Sequence, residues 1–406
     1  MPEANTAPER NTAAERSTVR VGMTMFFQNY ADWERYEAKE AGRSAEPLDP
    51  QTDIKRYEEE LDTALAAEDQ GWDSLWTVEH HVSPYTMIPN PVQLLSFIAG
   101  ATSRIDVGTM VVVLPWHHPL RVAEDITTLQ YQLRGRTPYI GFGRGAARRE
   151  FRQLGLEMGE SRTRFDEAIQ VVKLALTQES FSFKGEHYTF EDVTMRPRPR
   201  DPQALIDNFH FSWGSPSSAP IGARFGLKPL IIPQRPWDDY HAELAEFGRA
   251  RAEAGFGPAR PRIHMNVFCG ENEQEAAEHA RRFIPQYADS ARRNYELDSG
   301  HFATTKGYEH YAGQSEAMNA AGGAAKLMGD AYLANHVWGT PDQCVDKMRR
   351  IAAAFRPEEF MLVMRYGDMP REVAAKSTDL FAREVMPAIQ ALPLEDPIDY
   401  RAAVDA

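Results

Sequence analysis

Residues 71–81 read GWDSLWTVEHH, and this stretch sets the architecture of the chain. Upstream of it, Ile54, Tyr57, Leu61, Ala64 and Leu65 recur at helical spacing, and Gly71 stops that helix. Ser74–Val78 is then a short strand that delivers Glu79, His80 and His81 to its C-terminal end. Parallel α/β architectures carry their chemistry on the loops after the strands. Three polar side chains in a row must each find a partner if they are buried, so the run reads as a catalytic edge, with His80 or His81 as base or hydrogen-bond donor. A pair of solvated loop histidines is the plainer alternative.

The same helix–strand alternation repeats on both sides of this junction. Candidate strands lie at 19–27, 74–78, 105–113, 137–142, 209–213, 229–232, 262–268 and 359–364, and every gap is long enough for a crossover helix. The run from Ile105 to Leu114, apolar apart from Asp106 and Thr109, marks a strand covered on both faces. Pro119 opens one crossover helix, Ser161 begins another, and Thr340-Pro341-Asp342-Gln343 makes a capping box before a third. Between them FSFKGEHYTF reads as a hairpin. A doubly wound sheet would carry a glycine turn after its first strand, and residues 28–34 hold no glycine. The expected fold is therefore α/β, a (β/α)8 TIM barrel with insertions. Residues 1–18 read as a disordered tail and 19–395 as one barrel domain, with 285–337 a lid or insertion segment because it lacks any sustained apolar period.

The chain of 406 residues carries a net charge of −14, which repels nucleic acid and anionic membranes at long range. Neither a membrane-length apolar run nor a signal-peptide core is present in the sequence, and Cys269 and Cys344 have no metal-ligand or disulfide spacing. The expected setting is the cytoplasm, with no metal, no nucleic acid and no membrane as partner.

Two further loops bear on chemistry. Gly141-Phe142-Gly143-Arg144-Gly145 fails as a dinucleotide fingerprint, because its third glycine comes one residue early. As a glycine turn at a barrel mouth it lets backbone approach a ligand, with Arg144 as a forked cation suited to phosphate. After the next strand, Trp213-Gly214-Ser215-Pro216-Ser217-Ser218 enters a helical segment, and its hydroxyls and free N–H groups suit the same anion. Trp116, Phe142 and Trp213, with Trp76 and Tyr366, are candidates to line a flat pocket.

Assembled, these residues resemble the bacterial luciferase family of flavin-dependent monooxygenases, and the pattern of its catalytic (alpha) subunit more than that of distant members. The resemblance runs from about Val19 to Pro387 and includes GWDSLWTVEHH, GTMVVVLPWHHPLRVAEDI, GFGRGAARREFRQLG, TKGY and GTPDQC in the same order. It implies that His80 is the catalytic histidine, with Glu79 as its orienter and His81 structural. It implies that Arg144, Ser215 and Ser218 hold the FMN phosphate, and that Met110 and Val111 form a strand bulge, often a non-proline cis peptide, under the flavin ring. Gly143 stands where luciferase has its reactive cysteine, Gly214 where it has a carboxylate, and Trp116 and His117 where it has smaller residues. The polar excursion 28–51 is expected to add a pocket wall. The implied activity is two-component: reduced FMN, supplied by a separate NAD(P)H-dependent flavin reductase, reacts with O2 to a C4a-peroxyflavin that oxygenates an apolar small-molecule substrate, by Baeyer–Villiger insertion in preference. A homodimer is implied as well. An F420-dependent oxidoreductase of the same fold and a non-catalytic flavin-binding subunit are the alternatives.

Overall fold

The computed structural model describes residues 17–320 and 323–399. Its strands, in chain order, are β1 Arg20–Met25, β2 Ser74–Thr77, β3 Asp106–Val113, β4 Pro138–Gly143, β5 Phe181–Lys184, β6 Thr189–Val193, β7 Phe209–Ser212, β8 Lys228–Ile231, β9 Arg262–Cys269, β10 Val337–Gly339 and β11 Glu359–Val363. The eight expected core strands are all among them. They pair in parallel in the order β1-β2-β3-β4-β7-β8-β9-β11, and β11 returns to β1 to close a (β/α)8 barrel. The expected hairpin is β5–β6, lying outside the barrel.

Local chemistry sets the helix ends. Prolines occupy the first turn of the helices Pro50–Gln70, Pro91–Ala101, Pro119–Gln132 and Pro341–Phe355, where a missing N–H costs nothing. Asp49 and Asn90 cap two of them through their side chains, and the Thr340–Gln343 capping box forms as expected. Gly71 closes the helix Pro50–Gln70 at φ 89°, a conformation open to glycine at little cost, and so aims β2 into the barrel.

The N-terminal end of the barrel is plugged by charge. Arg20 pairs with Asp106 at 2.9 Å and donates to the Tyr139 hydroxyl, while Arg262 pairs with Glu358 at 2.7 Å and with Glu359. The Arg262 guanidinium sits 3.9 Å from the Tyr139 ring centre and 5.4 Å from that of Trp76. Any cavity must therefore open at the opposite, C-terminal mouth. Above this plug the barrel is narrow: a Cβ on Gly108 would stand 2.5 Å from the buried Trp76 ring. Gly108→Ala is expected to destabilise by about 2 kcal/mol through overpacking. Urea unfolding should read it as a lower midpoint at unchanged slope.

Three stretches differ from expectation. The excursion 28–51 holds a short turn, Tyr30–Asp32, and a helix, Trp33–Glu40. Its buried Trp33 donates to Ser290, Tyr30 donates to Asp289 at 3.2 Å, and Glu37 pairs with Arg293 at 3.2 Å. It thus braces the outside of the helix Glu273–Tyr295 and supplies no wall to the pocket described below. The change of texture at Pro285 falls inside that same helix, and helices His310–Ala320 and Ala324–Asn335 follow it. The short strand β10, which no pattern announced, extends the sheet beside the end of β9. Of the N-terminal tail, residues 1–16 lie outside the described residues, while Thr18 bridges Pro393. Among the described residues no helix is long and apolar enough to cross a membrane.

Candidate active site

A cavity opens at the C-terminal mouth. Of the residues singled out from sequence, His80, Met110, Val111, Gly143, Arg144 and Ser218 line it; Ser215 stands immediately behind Ser218, 2.8 Å from its hydroxyl.

His80 enters from the end of β2 with its Nδ1 3.0 Å from Glu150 Oε1. Glu150, on the helix Arg148–Gln153, is fully buried and also accepts the His81 N–H at 2.7 Å. A carboxylate only accepts, so Nδ1 carries the proton and the Nε2 lone pair faces the cavity. There it meets the Tyr295 hydroxyl at 3.2 Å. Burial pushes that phenol well above its ordinary pKa, so it is a neutral donor. Glu79 does not orient His80, contrary to expectation. It accepts from the Val113 N–H at 2.7 Å and bridges His117 at 2.6 Å and His81 at 3.0 Å. Burial alone would raise the Glu79 carboxyl, but His117 and these hydrogen bonds hold it low, and Glu79 in turn raises His117 against the effect of burial. The two histidine rings therefore face different buried carboxylates, Glu150 for His80 and Glu79 for His81. Glu150 gave no signal in sequence beyond its place among arginines; a lone buried carboxylate far along the chain has no local pattern.

Across the mouth, Arg144 donates to Ser218 Oγ at 2.8 Å and to the Gly307 carbonyl at 3.5 Å, and its Nη1 is buried without a hydrogen-bond partner. An unpaired buried guanidinium nitrogen beside two linked hydroxyls is a cradle for an anion. The segment after the helix Glu273–Tyr295 covers it. Tyr308 lies under the Arg144 guanidinium, 5.0 Å from its ring centre, and donates to the Gly145 carbonyl at 2.6 Å. Gly214, with no Cβ, lets the Tyr311 hydroxyl come close to the backbone here. Between His80 and Arg144, β3 slips register between Thr109 and Val112, and the Met110–Val111 peptide is cis. Gly143 faces this bulge, where a Cβ would stand 2.6 Å from Val111 Cγ2.

The aromatic lining differs from that expected. Trp213 lines the cavity, but Phe142 lies between the inward Gly141 and Gly143, so alternation along β4 turns it outward onto Phe209, 5.0 Å away. Trp116 packs on His81 and Phe151, Trp76 belongs to the basal plug, and Tyr366 donates to the Val267 carbonyl. The rings that face the cavity are instead Phe26, Tyr85, Tyr287, Tyr295, Tyr308 and Tyr311. Burial lifts Tyr287 and Tyr311 to about 12, so these too are neutral phenols.

The family model for luciferase-like monooxygenases matches residues 37–356. The chain belongs to that family. It is 26% identical over 343 residues to the alkanal monooxygenase alpha chain of Photorhabdus luminescens, covering 80% of this chain and 89% of that one. It is 24% identical to the oxygenase component of the flavin-dependent trigonelline monooxygenase of Acinetobacter baylyi, covering 87% and 95%. Among solved structures, monooxygenase RslO1 of Streptomyces bottropensis superposes with a TM-score of 0.70 at 25% identity, over 91% of this chain and 99% of that one. Two further luciferase-like barrels share the fold. The oxygenating constituent of 3,6-diketocamphane monooxygenase from Pseudomonas putida, a type II Baeyer–Villiger enzyme in complex with FMN, gives 0.66 at 20% identity over 93% and 100%. An F420-dependent secondary alcohol dehydrogenase gives 0.64 at 17% over 92% and 99%. The present luciferase-like chain is thus a flavin-dependent monooxygenase by family.

Proposed function

We propose that this chain is the oxygenase of a two-component system, which takes reduced FMN from a separate NAD(P)H-dependent flavin reductase and uses O2 to oxygenate a small organic carbonyl compound or a relative of one. The observation that carries the reading is the buried Arg144 Nη1 with no partner beside Ser218 and Ser215, a site built for a phosphate. Reduced flavin, when bound, supplies the electrons that activate O2. Arg144, Ser215 and Ser218 would hold its phosphate, Met110 and Val111 would support its ring, and Gly143, having no Cβ, lets the Val111 side chain pack against β4. His80 offers Nε2 as proton acceptor or, once protonated, donor, while Glu150 keeps the proton of Nδ1 in place. Phe26, Tyr85, Tyr287 and Tyr295 exclude water from the space around it, which protects a reactive oxygen species from hydrolysis. The segment 285–337, through Gly307, Tyr308 and Tyr311, would act as the lid over the phosphate. The oxygenase-component name of the trigonelline relative supports the separate reductase. By the same family analogy the enzyme works as a cytoplasmic homodimer, and insertion of Baeyer–Villiger type is the preferred chemistry.

The deciding experiment supplies the purified chain with FMN, a flavin reductase and NADH, and follows oxygen uptake and product from a panel of ketones and aldehydes. An oxygenated product that needs reduced FMN is the expected result. Anaerobic hydride transfer to or from F420 with no oxygen-dependent product would replace this reading with the deazaflavin one.

A further inference from the structure

The wall of the cavity opposite the β3 bulge carries polar groups that the flavin reading leaves unused. Along β9, alternation places Arg262, His264 and Asn266 on one face, and Arg262 lies inside the barrel against Tyr139. His264 lines the cavity, is 1% exposed, and neither of its ring nitrogens has a partner. One residue pair further on, both polar atoms of the fully buried Asn266 side chain are unpartnered. Its backbone N–H donates at 3.0 Å to Nδ1 of the buried His336, whose Nε2 is unpartnered as well. Buried polar atoms in folded proteins are nearly always satisfied, so five orphans on one strand and its neighbour mark a place where a ligand or ordered water completes the bonding.

Resting on the monooxygenase reading, we propose that His264, which lines the cavity with Asn266 and His336 buried behind it, forms its substrate-recognition end and binds a neutral oxygen function, a phenol or ketone, carried on a planar aromatic substrate. The geometry gives the position. β9 stands across the barrel from β3 and β4, so a flavin anchored at Arg144 and supported at Met110–Val111 leaves this wall to the substrate. The bonding inventory gives the function. His264 offers the cavity one donor and one acceptor, and behind it His336, which accepts at Nδ1, keeps a free N–H and the Asn266 amide two more. Donors outnumber acceptors, as an oxygen with two lone pairs requires. Charge gives the class: burial holds the His264 imidazole neutral, down to about 3, so a carboxylate would enter without a counter-charge. Shape gives the scaffold, since Phe26 meets Tyr85 edge-on at 5.1 Å and Tyr287 at a tilt at 5.0 Å, leaving flat ring surfaces around the space.

Equilibrium dialysis of the full chain without flavin, against 2-naphthol, naphthalene and 2-naphthoate, tests this directly. Two or three hydrogen bonds should make 2-naphthol bind about 10-fold or more tightly than either of the other two. His264→Leu should bring 2-naphthol down to the naphthalene level while leaving FMN affinity unchanged, and His264→Gln, which keeps a donor and an acceptor, should retain part of the preference. Equal affinity for naphthol and naphthalene on the parent chain, tighter binding of naphthoate, or an undiminished preference in folded His264→Leu would each overturn the proposal. The first two outcomes need no variant to fold. Because no flavin is present, a naphthol preference stands even if oxygen chemistry fails, and its loss leaves the FMN assignment untouched.

Discussion

His80→Ala is expected to keep its FMN affinity and to lose product formation by about 100- to 10,000-fold, the range contributed by one well-placed acid–base group. The phosphate cradle at Arg144 is built from β4 and the β7 loop and makes no contact through His80, so binding and turnover should separate. What His80 brings is a lone pair in a fixed place. Glu150 takes the Nδ1 proton, Tyr85 packs edge-on at 4.7 Å, and Nε2 is left toward the cavity beside the Tyr295 hydroxyl. Glu150→Gln tests the same arrangement without emptying the pocket. Oε1 accepts the His81 N–H at 2.7 Å and faces Nδ1 at 3.0 Å, so the amide keeps its oxygen there, sets its NH2 at the 3.3 Å position and removes the negative charge beside the ring. Its loss of turnover should be smaller than that of His80→Ala, with its pH profile displaced. In both variants oxygen uptake should persist as hydrogen peroxide release, since reduced FMN still binds and meets O2 while the oxygen no longer reaches product. Added imidazole should restore part of the activity to His80→Ala and none to Glu150→Gln. Full product turnover in folded His80→Ala would remove the catalytic role.

The barrel could be read from the sequence because the core strands are covered on both faces, so they are rich in apolar residues, and helix ends between them are marked by glycine, proline or a cap. His80, Arg144, Ser215 and Ser218 could be located for a related reason: they follow strands, and that position in a barrel is where function sits. Residues that act from elsewhere left no such trace. Glu150 is on a short helix among arginines, and its pairing with His80 exists only once β2 and β4 stand near one another. Tyr287 and Tyr295 face the cavity from a helix whose stripe of Phe283, Ile284, Tyr287, Ala288 and Ala291 looks like ordinary packing, interrupted by Pro285. The same limit explains Phe142 and Trp116. Their types suit a ligand pocket, but strand alternation at β4 and the fold of the β3 loop turn both away from it. Residue type was informative about chemistry, and only tertiary placement decided which ring met the cavity.

Arg144→Ala is expected to raise the Kd for FMN by about 100-fold, or about 2.7 kcal/mol, while leaving riboflavin nearly unchanged. The guanidinium already spends Nη2 on Ser218 and on the Gly307 carbonyl, and Nη1 is the donor with nothing to meet. A phosphate placed there gains a charge-assisted bond from Nη1 and hydroxyl bonds from the Ser215–Ser218 pair, all in a place screened from water by Tyr308 and Tyr311. Riboflavin lacks the phosphate and should not register the change. Arg144→Lys should fall between the two, because a single ammonium cannot hold Ser218 and the phosphate at once in a forked arrangement. The fold should survive either change, since Tyr308 keeps its bonds to Gly145 and Ser161 and continues to hold the covering segment down. Equilibrium titration of both flavins under nitrogen, with thermal unfolding as the control, separates the outcomes. An equal loss for FMN and riboflavin would mean that Arg144 supports the ring or the fold, and the phosphate would have to be sought elsewhere around the mouth.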